Sequence, residues 1–296
     1  MAKKRRTKIR RPKFKKPLRG FRIVTLALNV PVPVAVSRLY QLGATVVKIE
    51  PPSGDALQTE HCPKWYNDLV KGQRIVRLNL KDPKDRARLD SFLSKSDLLL
   101  TSTRLDSLRR LSLGWKELHS KFPKLSHVAL LGHPAPRQSL AGHDLTYQAR
   151  LGLVAPPNMP TTLLADLAAA ESVFGAALIL LLSRKPRDPG AFEEVTIEEA
   201  ARRFAAPLHY GLTAPGGVLG GGSPEYNLYR ASDDWVAVSA LEPQFLARLQ
   251  EELKLPNMNH AQLASALRAR TAVAWDQWAL ERDIPLTGVR YFGNTE

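Results

Sequence analysis

From residue 20 onward, short runs of β-branched and aliphatic residues alternate with segments whose apolar side chains recur every three or four positions. Arg22 to Leu26 and Val46 to Ile49 read as strands. Between them Val32 to Leu42 has helical spacing, opened by Pro31 and Pro33 and closed by Gly43. Arg74 to Leu80 reads as a third strand, after which Asp82 and Pro83 open an amphipathic helix as N-cap and N1. Leu98 to Leu100 and His127 to Leu131 are short apolar strands, with a helix from Leu105 to Leu111 between them. This alternation predicts an α/β fold, a doubly wound, Rossmann-like unit with a mostly parallel sheet. Such sheets bind ligands beyond the carboxyl ends of their strands.

The second half changes character. Leu163 to Leu182 is mostly apolar and long enough to cross a bilayer. Asp166 and Glu171 lie inside it and would be costly in lipid, so the stretch predicts a buried core helix starting near Asp166 and no transmembrane segment. Lys185-Pro186-Arg187-Asp188-Pro189-Gly190 ends it, and Val195-Thr196 leads into a helix from Ile197 to about His209. Residues 214–224 are too rich in Gly and Pro for regular structure and read as a linker. Tyr226 to Arg230 and Trp235 to Ser239 form a hairpin around Ser232-Asp233-Asp234. Helices then follow over 244–253, 261–269 and 272–281, the last with Thr271 as N-cap. The expected organisation is a disordered basic tail (1–17), a Rossmann-like ligand-binding domain (18–190), a helix and Gly-rich linker (191–224), and a smaller α+β domain (225–296).

Composition refines this picture. A 44% hydrophobic and 24% charged chain of 296 residues suits a soluble globular protein. One cysteine, Cys62, excludes an internal disulfide and a Cys-based zinc site, and it fits a reducing, cytoplasmic compartment. No His, Cys, Asp or Glu spacing suggests a metal. The net charge of +15 is unevenly spread: ten of the first 16 residues are Lys or Arg, and the rest holds 33 basic against 28 acidic residues. That tail has no apolar core region and is not a secretory signal. It reads as a solvated extension with no specific nucleic-acid partner, although its charge favours polyanions in a salt-dependent way.

Three polar islands carry candidate chemistry: Gly142-His143-Asp144-Leu145-Thr146-Tyr147, Leu164-Ala165-Asp166-Leu167 and Ala240-Leu241-Glu242-Pro243-Gln244-Phe245. Each sets an ionisable group at the edge of an apolar segment, where pKa values shift most. Read locally, Asp144 caps a helix beside an exposed His143, Asp166 is an N-cap worth about 1 kcal/mol, and Glu242 is a favourable charge in a first helical turn. Brought into one cleft, a His, an Asp and a Glu can move a proton to or from a carbon acid. Gly220-Gly221-Gly222 is no P-loop, because no Gly-Lys-Ser/Thr follows.

Together with Leu42 to Pro52, Leu78 to Pro83, Asp97 to Trp115 and Tyr226 to Phe245, these islands resemble the family III (CaiB/BaiF-type) CoA-transferases, and in particular their α-methylacyl-CoA racemase branch. The likeness runs over roughly residues 18 to 290. It implies an enzyme with an acyl-CoA thioester as substrate and no resident cofactor. His143 falls on the catalytic histidine of the racemase branch, and Asp166 on the family's key carboxylate. In racemases that carboxylate is the second acid/base, facing the other side of the α-carbon. In transferases it is the nucleophile, forming a mixed anhydride and then an aspartyl-CoA thioester. Glu242 and Asp144 are implied as supports, Asp144 by orienting His143. Lys48 and Arg104 fall on positions that contact the nucleotide part of CoA.

The leading expectation is therefore proton exchange at the α-carbon of an acyl-CoA. CoA transfer through Asp166 comes second, and a non-catalytic CoA-binding homologue third. The chain departs from the family at Ala168-Ala169, where glycines are common and methyl groups are expected to crowd the thioester. The family's Gly-rich loop is represented only by Leu131 to Pro136. A homodimer is implied too, without the long C-terminal return that interlocks two subunits.

Overall fold

The computed structural model describes residues 16–185 and 187–291, which form two compact units divided after Phe204. The first contains β1 (Arg22–Thr25), α1 (Pro31–Gln41), β2 (Thr45–Glu50), α2 (Pro63–Leu69), β3 (Arg74–Arg77), α3 (Pro83–Leu93) and β4 (Leu98–Thr101). It continues through α4 (Leu105–Arg110), α5 (Trp115–Lys121), β5 (Ser126–Leu131), α6 (Asp144–Arg150), α7 (Leu164–Leu182), β6 (Phe192–Thr196) and α8 (Ile197–Phe204). Its six strands are all parallel, in the order β3-β2-β1-β4-β5-β6. The winding reverses between β1 and β4. That is the doubly wound α/β arrangement expected from the alternating pattern.

Burial explains why the strands read as apolar runs. Every residue of β4 and β5 is buried, as a sheet covered on both faces requires. Asp82 caps α3 as expected, its Oδ1 accepting from Lys84 N at 2.8 Å and Asp85 N at 3.2 Å. The long apolar segment is α7, a core helix that meets the membrane-length criterion yet packs on α1, α8, β5 and β6. Ala165, Ala168, Ala169, Val173, Ala177 and Leu181 form its buried stripe, and the small side chains let the helix lie close to its neighbours.

Two boundaries differ from expectation. The large unit does not stop at residue 190, because β6 pairs with β5 from His127↔Phe192 to Leu131↔Thr196 and α8 packs on α7. A short strand in a polar stretch has too little alternation to be read as the sixth strand of a sheet. The helix expected to reach His209 breaks at Ala205, and a separate α9 (Ala206–His209) begins with Pro207 in its first turn. Proline lacks an N–H and disfavours helical geometry in the residue before it. Residues 1–15 of the basic tail lie outside the described residues. Leu18 is fully buried and donates its N–H to Leu42 O at 3.1 Å.

The second unit holds α9, β7 (Tyr226–Arg230), β8 (Trp235–Ser239), α10 (Pro243–Leu253), α11 (His260–Leu267), α12 (Ala272–Arg282) and β9 (Leu286–Gly288). Its antiparallel sheet runs β7-β8-β9. Trp275 and Trp278 meet edge-to-face at 4.9 Å in its core, and Trp275 Nε1 donates to Leu267 O at 2.7 Å. Thr271 caps α12 as expected, accepting from Ala274 N at 3.2 Å.

Candidate active site

A cavity of about 360 Å³ opens at the carboxyl edge of the large sheet, beside the reversal between β1 and β4. Its wall takes Asn29 from the turn after β1, Pro31 from the start of α1, Arg104 from the turn after β4, Gly132 from just past β5, His143 from the N-cap of α6, Tyr147 from α6 and Asp166 from α7. A doubly wound sheet leaves a crevice there because helices leave the reversal on opposite faces. Of the expected site residues, His143, Asp166 and Arg104 all line this one cavity.

Asp166 sits in the first turn of α7 and is half-buried. Burial, and next the negative charge of Asp144, push its carboxyl up to about 6. A helix N-terminus favours the ionised form, so here desolvation and the like charge outweigh the dipole. Asp144 is buried, and both its oxygens are engaged. Oδ1 accepts the backbone N–H of Asp166 at 3.0 Å, and Oδ2 accepts from Gln148 Nε2 at 2.5 Å. Gln148 also donates to Thr162 O at 3.1 Å, tying α6 to the approach to α7. Asp144 therefore fixes the backbone of Asp166, which corrects the expectation that it orients the His143 ring.

His143, not Asp144, is the N-cap of α6. Its backbone N–H donates to Thr146 Oγ1 at 3.1 Å, and Thr146 Oγ1 donates to the His143 carbonyl at 2.8 Å. The backbone is pinned while the imidazole is exposed and borders the cavity.

Tyr147 was not singled out by sequence and belongs to the same wall. Its ring is 2% exposed, and a Cβ on Gly132 or Gly142 would fall 2.3 or 2.4 Å from its hydroxyl. Two glycines thus leave the space the phenol fills. Burial first, then the charges of Asp166 and Glu198, raise its pKa and keep it protonated.

Beneath Tyr147 lies a second unanticipated pair. His133, 2% exposed, has its ring 5.1 Å from that of Tyr147 and its Nδ1 2.6 Å from Glu198 Oε2. Arg137 Nη2 donates to both Glu198 oxygens at 2.9 and 3.0 Å, and Arg202 Nη2 to Oε1 at 3.2 Å. The His133 hydrogen bond leads in holding the Glu198 carboxyl down near 2, with the two arginines adding to it. The residues are 65 positions apart, so no local spacing announces them.

Lys48 is corrected. It is 1% exposed, with Nζ 2.5 Å from Asp55 Oδ2 and 3.0 Å from Glu50 Oε1. A cation committed to two buried carboxylates is a structural tie and presents nothing to a nucleotide. Ala168 and Ala169 are also corrected: at 1% and 0% exposed they pack into the core and do not line the cavity. Glu242 is the exposed N-cap of α10 in the second unit, its carbonyl accepting from Phe245 N at 2.9 Å. A larger hollow of about 510 Å³ lies between α7, β6 and α8. Its ionisable groups are Glu171, Glu193, Glu194, Glu199 and Arg203, without a partner acid/base of the His143 kind.

Comparison with known proteins bears on this geometry. Residues 18–292 match CoA-transferase family III. The chain belongs to that family. It is 30% identical over 256 residues to human alpha-methylacyl-CoA racemase, covering 80% of this chain and 65% of the relative. It is 26% identical over 267 residues to succinyl-CoA–D-citramalate CoA-transferase of Chloroflexus aurantiacus, covering 82% of this chain and 66% of that protein. The chain thus spans slightly under two thirds of the length of these relatives. The fold is shared with the crystal structure of a hypothetical protein, Rv3272, from Mycobacterium tuberculosis. That likeness has a TM-score of 0.81 at 23% identity and covers 93% of this chain and 85% of the other.

Proposed function

We propose that the cavity takes an acyl-CoA thioester and exchanges the proton at its α-carbon. The observation that carries this reading is that His143 and Asp166, two groups able to hold or release a proton, line one cavity with Asp166 raised to about 6. A carboxylate whose conjugate acid is weakened is a better base at neutral pH. One group removes the α-proton, and the C–H electron pair moves into the thioester carbonyl to give an enolate. The conjugate acid of the other group returns a proton to the same carbon from the opposite face. Only a C–H bond breaks and reforms, so no further reactant is required. Tyr147, kept protonated, offers a hydroxyl donor on the same wall, and Arg104 offers a cation for the phosphates of CoA.

The test is incubation with a chiral 2-methylacyl-CoA in deuterated water, with label expected at the α-carbon. Binding of CoA without incorporation from any branched acyl-CoA would instead support a non-catalytic homologue. The family resemblance also gives Glu242 a supporting role, which Glu242→Gln tests separately by its effect on exchange.

CoA transfer is the second reading. It is favoured by the half-buried Asp166 carboxylate on the cavity wall and by the similarity to a CoA-transferase. Attack of that carboxylate on the thioester carbonyl would expel the CoA thiolate and leave a mixed anhydride, which hydroxylamine traps. Trapping at Asp166, with activity kept in His143→Ala, would put transfer ahead of exchange.

A further inference from the structure

Because all six strands of the large sheet are parallel, every segment that enters a strand lies along its amino edge, opposite the candidate active site. A hollow of about 230 Å³ lies at this edge, on the face of β1, β2 and β3 that α3 covers. Strand alternation builds it. Val24, Ile49 and Val76 pack with Leu89 and Leu93 of α3 in the core. Side chains two positions apart on a strand share a face, so one step before Val24 and Val76 that face carries Arg22 and Arg74. Thr45 is the register partner of Arg22, and Val47 that of Arg74, so all four border the same space. Ser91 and Phe92 of α3 and the following Lys95 form the other wall. Arg22, Arg74 and Lys95 thus surround one hollow that no described carboxylate lines.

The acids beside the hollow are committed elsewhere. Asp90 holds Arg86 at 3.3 Å and Lys121 at 2.6 Å. Asp97 accepts the backbone N–H of Arg22 at 2.9 Å and faces Arg184 at 3.8 Å. The three cations have no ion-pair partner among the described residues, and they do not cap α3 either. Ser94 N donates to Asp90 O at 2.9 Å, Ser94 Oγ to Ser91 O at 3.2 Å, Ser96 Oγ to Phe92 O at 2.9 Å and Ser96 N to Leu93 O at 3.1 Å. The carbonyls that a cation would satisfy at that helix end are therefore already engaged. Like charges gathered around one space repel, and an anion seated among them relieves that repulsion.

We propose that this hollow binds a small phosphate monoester with an apolar body. A phosphate dianion offers three terminal oxygens to three separate cations, whereas a carboxylate offers two oxygens and a single charge. The hydroxyls of Thr45 and Ser91 add donors that no other described residue engages. The apolar body lies against Val47 and Phe92, whose ring centroid is 5.4 Å from the Arg74 guanidinium. At about 30 Å³ per water molecule in the liquid, the hollow equals roughly eight waters. That suits one ring with its phosphate and is too small for a nucleotide. The candidate active site opens at the other edge and stays accessible when this one is occupied.

The test is calorimetric titration of the full chain with phenyl phosphate at low ionic strength, with inorganic phosphate and benzoate as comparison ligands. Phenyl phosphate should bind most tightly of the three, and its affinity should fall as salt rises. In Arg74→Gln/Lys95→Gln the affinity should drop by about tenfold or more, because two charged contacts are lost. The charge-keeping double Arg74→Lys/Lys95→Arg should retain most of the affinity, which separates charge from misfolding. Arg104→Gln, at the other edge, should leave binding unchanged. Loss of binding in Arg104→Gln but not in the Gln double would put the ligand in the candidate active site and overturn the proposal. No binding of phenyl phosphate to the parent would overturn it outright. Benzoate binding as tightly as phenyl phosphate would overturn the choice of phosphate, and inorganic phosphate binding as tightly would overturn the apolar body. The assay reads binding only, so its outcome is independent of the acyl-CoA reaction.

Discussion

The two edges of the large sheet use charge in opposite ways. At the carboxyl edge a few ionisable groups are buried or half-buried and act on one another: Asp144 on Asp166, His133 on Glu198, and Glu198 on Tyr147. At the amino edge the Lys and Arg residues are mostly exposed, and water screens each from the next. Burial makes single groups matter, because an unpaired charge in low dielectric is expensive. Exposure makes the sum matter, because each contact is weak and nearly independent. Single substitutions should therefore have large effects at one edge and small effects at the other.

The sharpest expected difference is in turnover. Asp166→Asn or His143→Ala should lower deuterium exchange by roughly a thousandfold, the scale of general acid–base catalysis. Lys95→Gln, at the other edge, should leave exchange unchanged, and a loss there would mean that the two edges are coupled.

Next comes stability. Glu198→Ala leaves the buried His133 Nδ1 without its partner, while the half-exposed Arg137 and Arg202 turn to water, and should cost about 1–3 kcal/mol in urea unfolding. The pH dependence has a definite sign. A carboxyl held near 2 in the folded chain stabilises it above the unfolded value near 4.5, and that contribution is lost as pH falls through 4.5 toward 2. A Glu198→Gln variant should show less acid sensitivity in that window than the parent.

Gly142→Ala should cost about 1–3 kcal/mol and displace the Tyr147 ring, because the new methyl carbon falls 2.4 Å from its hydroxyl. Tyr147→Phe should not rescue that variant, because the ring Cζ also lies 2.5 Å from the new methyl carbon, whereas it should rescue Gly132→Ala, where the hydroxyl falls at 2.3 Å and Cζ only at 3.5 Å. Asp166 should act in the opposite direction to Glu198. Its folded value, about 6, lies above the ordinary 3.8, so ionising it weakens the fold as pH rises between the two. Asp166→Asn should then gain about 1 kcal/mol at pH 8 and nothing at pH 3, the gain being small because the carboxyl is only half-buried. Smallest of all, Arg74→Gln and Lys95→Gln should each change stability by less than about 0.5 kcal/mol.

Much of the large unit was legible from local chemistry. Alternating apolar runs gave five of its strands, and Asp82-Pro83 gave the start of α3, because both signals act between near neighbours. β6 and β9 escaped, since a five- or three-residue strand is defined by its partner more than by its own pattern. The site divides the same way. His143, Asp166 and Arg104 stood in motifs and line one cavity, whereas Lys48 stood in a motif and is locked between Glu50 and Asp55. A motif names a residue type at a position; it does not say which way the side chain turns.

By itself, the amino-acid sequence determined the strand–helix alternation, the family resemblance, the position of the candidate acid/base residues and the concentration of positive charge in the first 16 residues. Only the tertiary structure decided the rest. It placed Asp144 under the backbone of Asp166, His133 against Glu198 across 65 positions, and the cations before five of the six strands along one edge. The reason is that a pKa, an ion pair and a charged surface depend on distances through space and on exclusion of water, and both appear only when separate segments pack together.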